Sequence, residues 1–241
     1  MTNSFSGAAD KALLECKGIA KNYGSKMALS NVNLTIDKGR IVGLLGPNAS
    51  GKTTLIKLIM GLLTPTDGEI SVLGNPVGVE SKKVISYLPD RTYLDENKRV
   101  KDVIAYFKDF YEDFDSERAY EMLGNLGISD KDKIKTLSKG TKEKVQLVLV
   151  MSRRAALYVL DEPIAGVDPA ARDYIIRTIL SNYEENASII ISTHLITDTE
   201  NILDDVIFLK EGRVHLSSTV EELREKEGKS VDSVFREVFR C

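Results

Sequence analysis

Residues 41–54 read IVGLLGPNASGKTT, and this stretch decides the fold because a short apolar run passes straight into a loop with two glycines. A continuous apolar run of this length is typical of a strand that is covered on both faces. A helix is predicted to follow from about Lys52 to Leu62. The sequence therefore predicts a strand, a tight loop and a helix in direct succession.

The loop matches the pattern G-x-x-x-x-G-K-[ST]. In a strand–loop–helix unit, the glycines let backbone N–H groups and the helix N-terminus face an anion. Lys52 then reaches the β- and γ-phosphates of a nucleotide, and Thr53 offers its hydroxyl to Mg²⁺. The alternative is a glycine turn that only opens a helix. We expect the whole loop to bind a nucleotide, through Gly46, Pro47, Asn48, Ala49, Ser50, Gly51, Lys52, Thr53 and Thr54.

A second apolar run, ALYVL at 156–160, ends in the acidic pair Asp161 and Glu162. Because side chains alternate along a strand, the two acids need not share a role. We expect Asp161 to hold Mg²⁺, directly or through water, and Glu162 to orient and deprotonate the attacking water. Alone, such a pair is more often a turn or a helix cap. The loop upstream favours the catalytic interpretation.

The rest of the chain has no repeat, low-complexity tract or proline-rich linker, so its elements are predicted from changes in the spacing of apolar residues. From Val100 the apolar residues fall at helical spacing, so a mostly helical stretch is expected at about 97–153. Asp168 and Pro169 stand where the helix between two strands would be capped and begin. Other predicted elements are strands at 13–23, 32–36, 69–73, 84–88 and 187–191, a closing hairpin at 206–218 and a charged helix at 221–229.

The composition is that of an ordinary soluble protein, since the 241 residues carry a net charge of -3 and 42% of them are hydrophobic. Near-neutral charge argues against general nucleic-acid binding, so any phosphate binding must be local.

The longest stretch without Asp, Glu, Lys or Arg, 186–197, is too short to span a membrane. No signal peptide is visible and the only cysteines are Cys16 and Cys241, so we expect a cytoplasmic protein without a Cys-only metal site.

Four further motifs surround the loop in order, namely Tyr23 before a glycine, LSKGT at 137–141, AGVD at 165–168 and STH at 192–194. With the loop and the acidic pair, they resemble the ATP-binding cassette (ABC) family, the motor subunits of ABC transporters, from Tyr23 to about Ser217. LSKGT stands where that family has its LSGGQ signature, AGVD is similar to its D-loop and His194 to its switch histidine. Tyr23 matches the aromatic residue that stacks on adenine. Taken singly, Tyr23 could be a core residue, His194 a strand-end histidine and Asp168 an N-cap.

The resemblance implies one cassette domain at 1–241. It combines an α/β P-loop core with an N-terminal antiparallel β subdomain and a helical subdomain at about 90–153. It also implies an ATPase that uses ATP and Mg²⁺ and powers a separately encoded membrane permease. That permease would hold the chain at the inner face of the cell membrane, and no nucleic acid would be involved.

The resemblance further implies that two cassettes, either two copies of this chain or this chain and a homologue, bury two ATP molecules in a head-to-tail dimer. Ser138 and Gly140 would contact ATP held by the other subunit. His194 would contact the γ-phosphate, and Asp168 would link the two sites across the interface. Hydrolysis would then open the dimer by removing the γ-phosphate.

The signature departs from the family pattern, because LSKGT lacks the first glycine and the glutamine of LSGGQ. It keeps Ser138 and Gly140, which are the residues expected to face the γ-phosphate, so we interpret the site as working. Lys139 either adds attraction for phosphate or only meets solvent.

A second departure is Asp90, which stands where the family often has a glutamine that senses both Mg²⁺ and the permease. Asp90 either joins Thr53 and Asp161 as a metal ligand or points away and serves the permease contact. We favour the second alternative because Asp90 follows Pro89 in a loop. Most aromatic residues of the following segment are expected in the core, whereas Tyr106 lies off the apolar stripe and could line a groove for a permease helix.

Two other function classes are less well supported. A chromosome or repair cassette would have a heptad arm, but only about eighty residues separate Thr53 from Leu137. A regulatory module that binds ATP without hydrolysing it would be expected to lack the catalytic glutamate. The short length, LSKGT and Asp90 are most similar to the ATPases of bacterial exporters of the bacitracin-resistance kind.

Overall fold

The computed structural model describes residues 12–165, 169–184 and 186–240, which form two β-sheets and the helices around them. The strands are β1 (Ala12–Tyr23), β2 (Lys26–Asp37), β3 (Ile41–Leu45), β4 (Asp67–Val72), β5 (Asn75–Pro76), β6 (Ile85–Leu88), β7 (Leu157–Asp161), β8 (Ser188–Thr193), β9 (Asp205–Lys210) and β10 (Arg213–Thr219). The helices are α1 (Lys52–Ile59), α2 (Val79–Lys83), α3 (Val100–Phe110), α4 (Ser116–Asn125), α5 (Lys139–Met151), α6 (Pro169–Ser181), α7 (Ile196–Thr199), α8 (Val220–Glu227) and α9 (Val231–Val238), with a 3₁₀ turn at Ile134–Thr136.

The larger sheet has the strand order β10-β9-β3-β8-β7-β6. All its neighbouring strands pair in parallel except β10, which forms an antiparallel hairpin with β9. Strands β3, β7 and β8 are buried at every position, as expected for parallel strands that are covered on both faces. The carboxyl ends of β3, β8, β7 and β6 therefore lie side by side at one edge.

The smaller sheet is antiparallel, with the order β2-β1-β4-β5, and it packs with α1 over one face of the larger sheet. Val42 and Leu44 of β3 belong to this core, whereas Ile41 and Leu45 belong to the core on the opposite face, with helices α3 to α6. This alternation follows from the pleat of the strand. The sheet thus separates two hydrophobic cores.

Several sequence-based boundaries were wrong. Helix α1 ends at Ile59 rather than Leu62, and the short elements β5, α2, α7 and α9 were missed. Helix α3 ends at Phe110, which is 64% exposed, and Tyr106 on the same helix is 62% exposed. Phe110 therefore does not belong to the core, because its ring lies on the solvent side of the last helical turn.

Arg153, after α5, anchors the helices to the edge of the larger sheet. Its guanidinium is 3% exposed, donates to both carboxylate oxygens of Asp113 at 2.9 Å, and donates to the carbonyl oxygens of Lys83 and Ile85 at 2.5 Å each. The ring of Tyr111 lies 3.9 Å from the guanidinium carbon. Four buried or half-buried acceptors thus depend on one side chain.

We expect Arg153→Met to lower the free energy of unfolding by about 3 kcal/mol, because it leaves a carboxylate and two carbonyls without their donor. The matched control is Arg154→Met, since Arg154 is exposed and pairs with Asp115 at 3.1 Å. That control should cost much less, because water screens an exposed ion pair. Urea unfolding of both variants measures the difference, and equal losses would contradict the anchoring role.

Candidate nucleotide-binding site

The candidate site lies where four neighbouring parallel strands end. Strand β3 leads into the loop before α1, β7 ends at Asp161, and β8 is followed by His194. The register pairs Leu45 with Thr193 and Asp161 with Ser192, so these strand ends are level with one another. Crevices at the carboxyl ends of parallel strands are the usual ligand sites of open α/β sheets.

The loop between β3 and α1 requires its glycines. A Cβ atom on Gly46 would come within 2.5 Å of the Leu209 carbonyl oxygen and of Ser50 Oγ. Gly51, which precedes α1, has φ of +111°, a conformation that L-residues rarely adopt. The residues from Asn48 to Thr54 line a cavity of about 950 Å³. The close backbone approach that the motif predicts is therefore present.

Lys52 lies at the centre of the loop and is 6% exposed. Its Nζ donates to the carbonyl oxygen of Gly46 at 2.7 Å and to that of Pro47 at 3.3 Å. It also lies 3.5 Å from Oε1 of Glu162. A positive charge is thus held inside the loop, facing the cavity.

Glu162 and His194 come together across β7 and β8, although 32 positions separate them in the chain. Oε2 of Glu162 lies 2.9 Å from Nδ1 of His194. The carboxylate is therefore held between an ammonium group and an imidazole. A base whose partner fixes its orientation is the arrangement that general base catalysis requires.

Asp161 is 1% exposed, and one of its carboxylate oxygens, Oδ1, accepts a hydrogen bond from Ser192 Oγ at 2.5 Å. Burial raises the pKa of Asp161, while the Ser192 hydroxyl opposes that increase. The other oxygen, Oδ2, is buried and has no hydrogen-bond partner within the described residues. The Thr53 hydroxyl lies close enough to favour the charged carboxylate, although it forms no hydrogen bond of normal geometry to Oδ2.

These features fit a divalent cation bound together with phosphate. A buried carboxylate oxygen without a partner, next to a hydroxyl at a helix N-terminus, is a donor set that Mg²⁺ uses with substrate phosphates. Within the part of the chain that the structure describes, no three His, Cys, Asp or Glu side chains converge on one point. The residues therefore fit a metal that is completed by a nucleotide rather than one enclosed by protein alone.

Asp90 follows β6 and lines the same cavity. Its charge raises the pKa of both Asp161 and Tyr87, although burial is the larger cause for each. The Asp90 side chain is 44% exposed, and its Oδ2 lies 3.9 Å from Nε of Arg91. Asp90 is thus an electrostatic neighbour of Asp161 with access to solvent.

Tyr23 lies at the end of β1 and lines the cavity with 48% of its surface exposed. The Nζ atom of Lys21 lies 5.4 Å from the centre of its ring. An exposed ring at the mouth of a cavity is available for stacking, so the interpretation of Tyr23 as a core residue is wrong.

Ser138 is the N-cap of α5, where its Oγ accepts a hydrogen bond from the Thr141 N–H at 3.2 Å. The helix begins at Lys139 rather than near Thr141, so Gly140 lies in its first turn. Lys139 lines the cavity, but Ser138 and Gly140 are not among its lining residues. Gly166, Val167 and Asp168 of the AGVD motif lie outside the described residues.

The sequence patterns assign no role of their own to two buried polar residues near the site, Gln146 and Ser192, although Ser192 belongs to the STH motif. Gln146 of α5 is 2% exposed and lines the cavity, with Nε2 at 3.5 Å from the Arg91 carbonyl oxygen. Ser192 is fully buried between the two acids. Ser192 follows three consecutive isoleucines in the strand SIIIST, and this change from apolar to polar residues was the signal that could have revealed its role.

Comparison with known proteins gives consistent results. The family model described as ABC transporter matches residues 29–165 of this chain. The ABC transporter ATP-binding protein YtrB of Bacillus subtilis (strain 168) is 30% identical over 217 residues, covering 89% of this chain and 74% of that protein. The linearmycin resistance ATP-binding protein LnrL of the same organism is 29% identical over 219 residues, covering 88% of this chain and 70% of that protein.

A solved structure of an ATP-binding subunit of an ABC transporter is 29% identical and superposes with a TM-score of 0.86, covering 95% of this chain and all of the other. The expected fold, a P-loop α/β core with an antiparallel β subdomain and a helical subdomain, is thereby confirmed. None of the helices in the described residues is both long enough and apolar enough to cross a membrane. With a family match over more than half of its length, this chain belongs to the ABC transporter family as an ATP-binding subunit, an ATPase.

Proposed function

We propose that this chain hydrolyses MgATP at the site described above, jointly with a second cassette, and thereby drives a separately encoded membrane permease. The observation that carries the proposal is the Glu162 carboxylate, held 3.5 Å from Lys52 Nζ and 2.9 Å from His194 Nδ1. A scaffold protein that only bound ATP would have no need of a base oriented in this way.

In the proposed site, the loop residues from Gly46 to Thr54 bind the triphosphate. The Lys52 ammonium already lies beside the cavity, bonded to the carbonyl oxygens of Gly46 and Pro47. It can therefore turn towards the phosphates with little movement. Thr53 and Asp161 would hold Mg²⁺, which neutralises charge on the β- and γ-phosphates. The free Oδ2 of Asp161 supports this role.

Glu162 would then orient the attacking water and accept its proton. Its carboxylate becomes available when the Lys52 ammonium turns towards phosphate, because the two groups lie only 3.5 Å apart before that. His194 would keep the carboxylate oriented and contact the γ-phosphate. Tyr23 would stack on the adenine ring, as its exposure at the cavity mouth permits.

We infer that the signature acts on a second cassette, either another copy of this chain or a homologue. Ser138 and Gly140 do not line the cavity of their own chain, and the first turn of α5 presents free N–H groups that favour an anion. The side chain of Lys139 is 87% exposed and its Nζ lies 3.9 Å from Oε1 of Glu143, so its ammonium could turn from that carboxylate to add charge attraction there. Asp168 would link the two sites across this interface.

The permease contact would lie beside the Asp90 loop. Tyr106 and Phe110 expose their rings and stack with centroids 5.9 Å apart, which makes an apolar surface on α3. Surfaces of this kind mark protein contacts.

A single cassette spanning the chain, with its helical subdomain at about 90–153, would thus be held at the cytoplasmic face of the membrane by its permease. The similarity to the linearmycin resistance ATP-binding protein supports an exporter of the bacitracin-resistance kind.

Phosphate release by the purified chain, with MgATP and with ATP in EDTA, tests the proposal. We expect turnover only with Mg²⁺, increasing more steeply than linearly with protein concentration because two chains form each site. Turnover that is linear in protein concentration would contradict the shared site. Absence of turnover, both alone and with the co-expressed permease, would favour a regulatory module.

Asp90→Asn is expected to change hydrolysis by the isolated chain less than about fivefold, because a charge that is 44% exposed is screened by water. Permease-coupled activity should decrease more. Asp95→Asn is the matched control, since it removes a carboxylate from the same loop outside the cavity. A large loss in the isolated chain that excess Mg²⁺ restores would instead make Asp90 a metal ligand.

A further inference from the structure

Ser192 is a fully buried serine whose hydroxyl connects the two acids of the site. Its Oγ donates to Oδ1 of Asp161 at 2.5 Å and accepts a hydrogen bond from the backbone N–H of Glu162 at 3.0 Å. The parallel register of β7 and β8 pairs Asp161 directly with Ser192. One hydroxyl group therefore meets a side chain of one acid and the backbone of the next.

We propose that Ser192 is a positioning residue for ATP hydrolysis, because its hydroxyl fixes the carboxylate of Asp161 so that Oδ2 remains free to bind the metal. This inference rests on the metal role proposed for Asp161. Ser192 is fully buried and, unlike Asp161, does not line the cavity, so it would touch neither nucleotide nor metal.

The carboxylate needs such a partner because rotation about its Cβ–Cγ bond is broad and roughly two-fold. Ser192 engages only one of the two oxygens, and the other has no partner within the described residues. Without the hydroxyl, either oxygen could turn towards the cavity or back into the strand. Outer hydrogen bonds of this type keep metal ligands in position.

The same hydroxyl supports the backbone at Glu162, which has φ of +53° although it is not a glycine. This left-handed conformation directs the chain out of β7 so that the Glu162 side chain meets Lys52 and His194. The Glu162 N–H is shared between Ser192 Oγ and the Ser192 carbonyl oxygen, each at 3.0 Å. Removal of the hydroxyl therefore leaves one backbone hydrogen bond, and the strand end should still form.

Ser188 provides a matched control on the same strand. It is also fully buried, and its hydroxyl likewise makes two hydrogen bonds, donating to the Asp37 carbonyl oxygen and accepting from the Arg40 N–H. It lies at the other end of β8, away from the acids. Ser188→Ala and Ser192→Ala thus remove equivalent groups that differ in their distance from the site.

The test compares the wild-type chain with both variants by thermal melting and steady-state hydrolysis. The melting temperature is measured without nucleotide, with the non-hydrolysable analogue AMP-PNP in EDTA, and with AMP-PNP and Mg²⁺. For Ser192→Ala, we expect the shift in EDTA to be retained, the additional shift due to Mg²⁺ to be lost, and kcat to fall about tenfold or more with little change in KM. Ser188→Ala should match the wild-type chain in both melting shifts and in kcat.

Three other results would overturn the role of Ser192 or the metal role of Asp161 on which it rests. A Ser192→Ala variant that keeps the Mg²⁺-dependent shift and the wild-type kcat overturns the inference. Loss of the shift in EDTA also overturns it, because the hydroxyl would then support the fold or the phosphate loop. If the wild-type chain itself shows no additional shift with Mg²⁺, the proposed metal role of Asp161 fails, and this inference fails with it.

Discussion

Lys52→Ala should abolish measurable turnover and weaken ATP binding, the largest effect expected for a single substitution in this chain. Its ammonium lies 2.7 Å from the Gly46 carbonyl oxygen at the centre of the loop and is nearly buried. No other loop residue from 46 to 54 carries a positive charge. Removing it takes away the cation that the triphosphate would meet and leaves Glu162, the proposed base, without its neighbour at 3.5 Å.

Calorimetric titration with ATP and phosphate-release assays measure the two effects separately. Removing one charge-assisted contact is expected to weaken binding by about tenfold to a hundredfold, corresponding to 1.5–3 kcal/mol for hydrogen bonds to charged groups. Lys57→Ala is a suitable control, because that lysine lies in the last turn of the same helix. Equal ATPase rates for Lys52→Ala and the wild-type chain would remove the assignment of the active site.

Glu162→Gln should reduce hydrolysis by a hundredfold or more while ATP binding persists, because it replaces the proposed base and leaves the phosphate loop unchanged. The amide keeps the shape of the side chain, and the contacts of Lys52 with the loop carbonyls do not depend on Glu162. With the γ-phosphate retained, the two cassettes should remain associated. The wild-type chain without nucleotide should be monomeric.

Size-exclusion chromatography of the variant, with and without MgATP, decides this prediction. His194→Ala gives a useful comparison, since it removes the partner of Glu162 at 2.9 Å but leaves the carboxylate itself. It should lower turnover less than Glu162→Gln does. A Glu162→Gln variant that stays monomeric at saturating MgATP would argue against the shared-site mechanism.

The parts of the fold that could be predicted were those with local patterns. The loop, strand β7 and its acids, and the strand before His194 are contiguous stretches whose residue types determine their conformation. Helix ends were less predictable, because α1 stops at Ile59 even though apolar residues continue to Leu63. The exposure of Phe110 was likewise hidden, since helical spacing indicates a face but not where the helix ends.

The relations between residues distant in the chain could not be predicted without the fold. Nothing local in the sequence brings Glu162 to within 2.9 Å of His194 or aligns Ser192 with Asp161. Both follow from the pairing of β7 with β8, which is set by the packing of the whole sheet. The motifs alone therefore could not predict the register between β7 and β8, which brings these residues together.

The two hydrophobic cores on opposite faces of the larger sheet have a consequence for motion. Strands β3, β7 and β8 are packed on both faces, so we expect the groups at their ends to keep their spacing while side-chain rotations occur on a picosecond to nanosecond timescale. Helix α5, which carries the signature, packs in only one of these cores. In the proposed dimer, a slower, collective displacement of α5 would therefore bring the signature to a neighbouring molecule without disturbing the spacing of the acids at the strand ends.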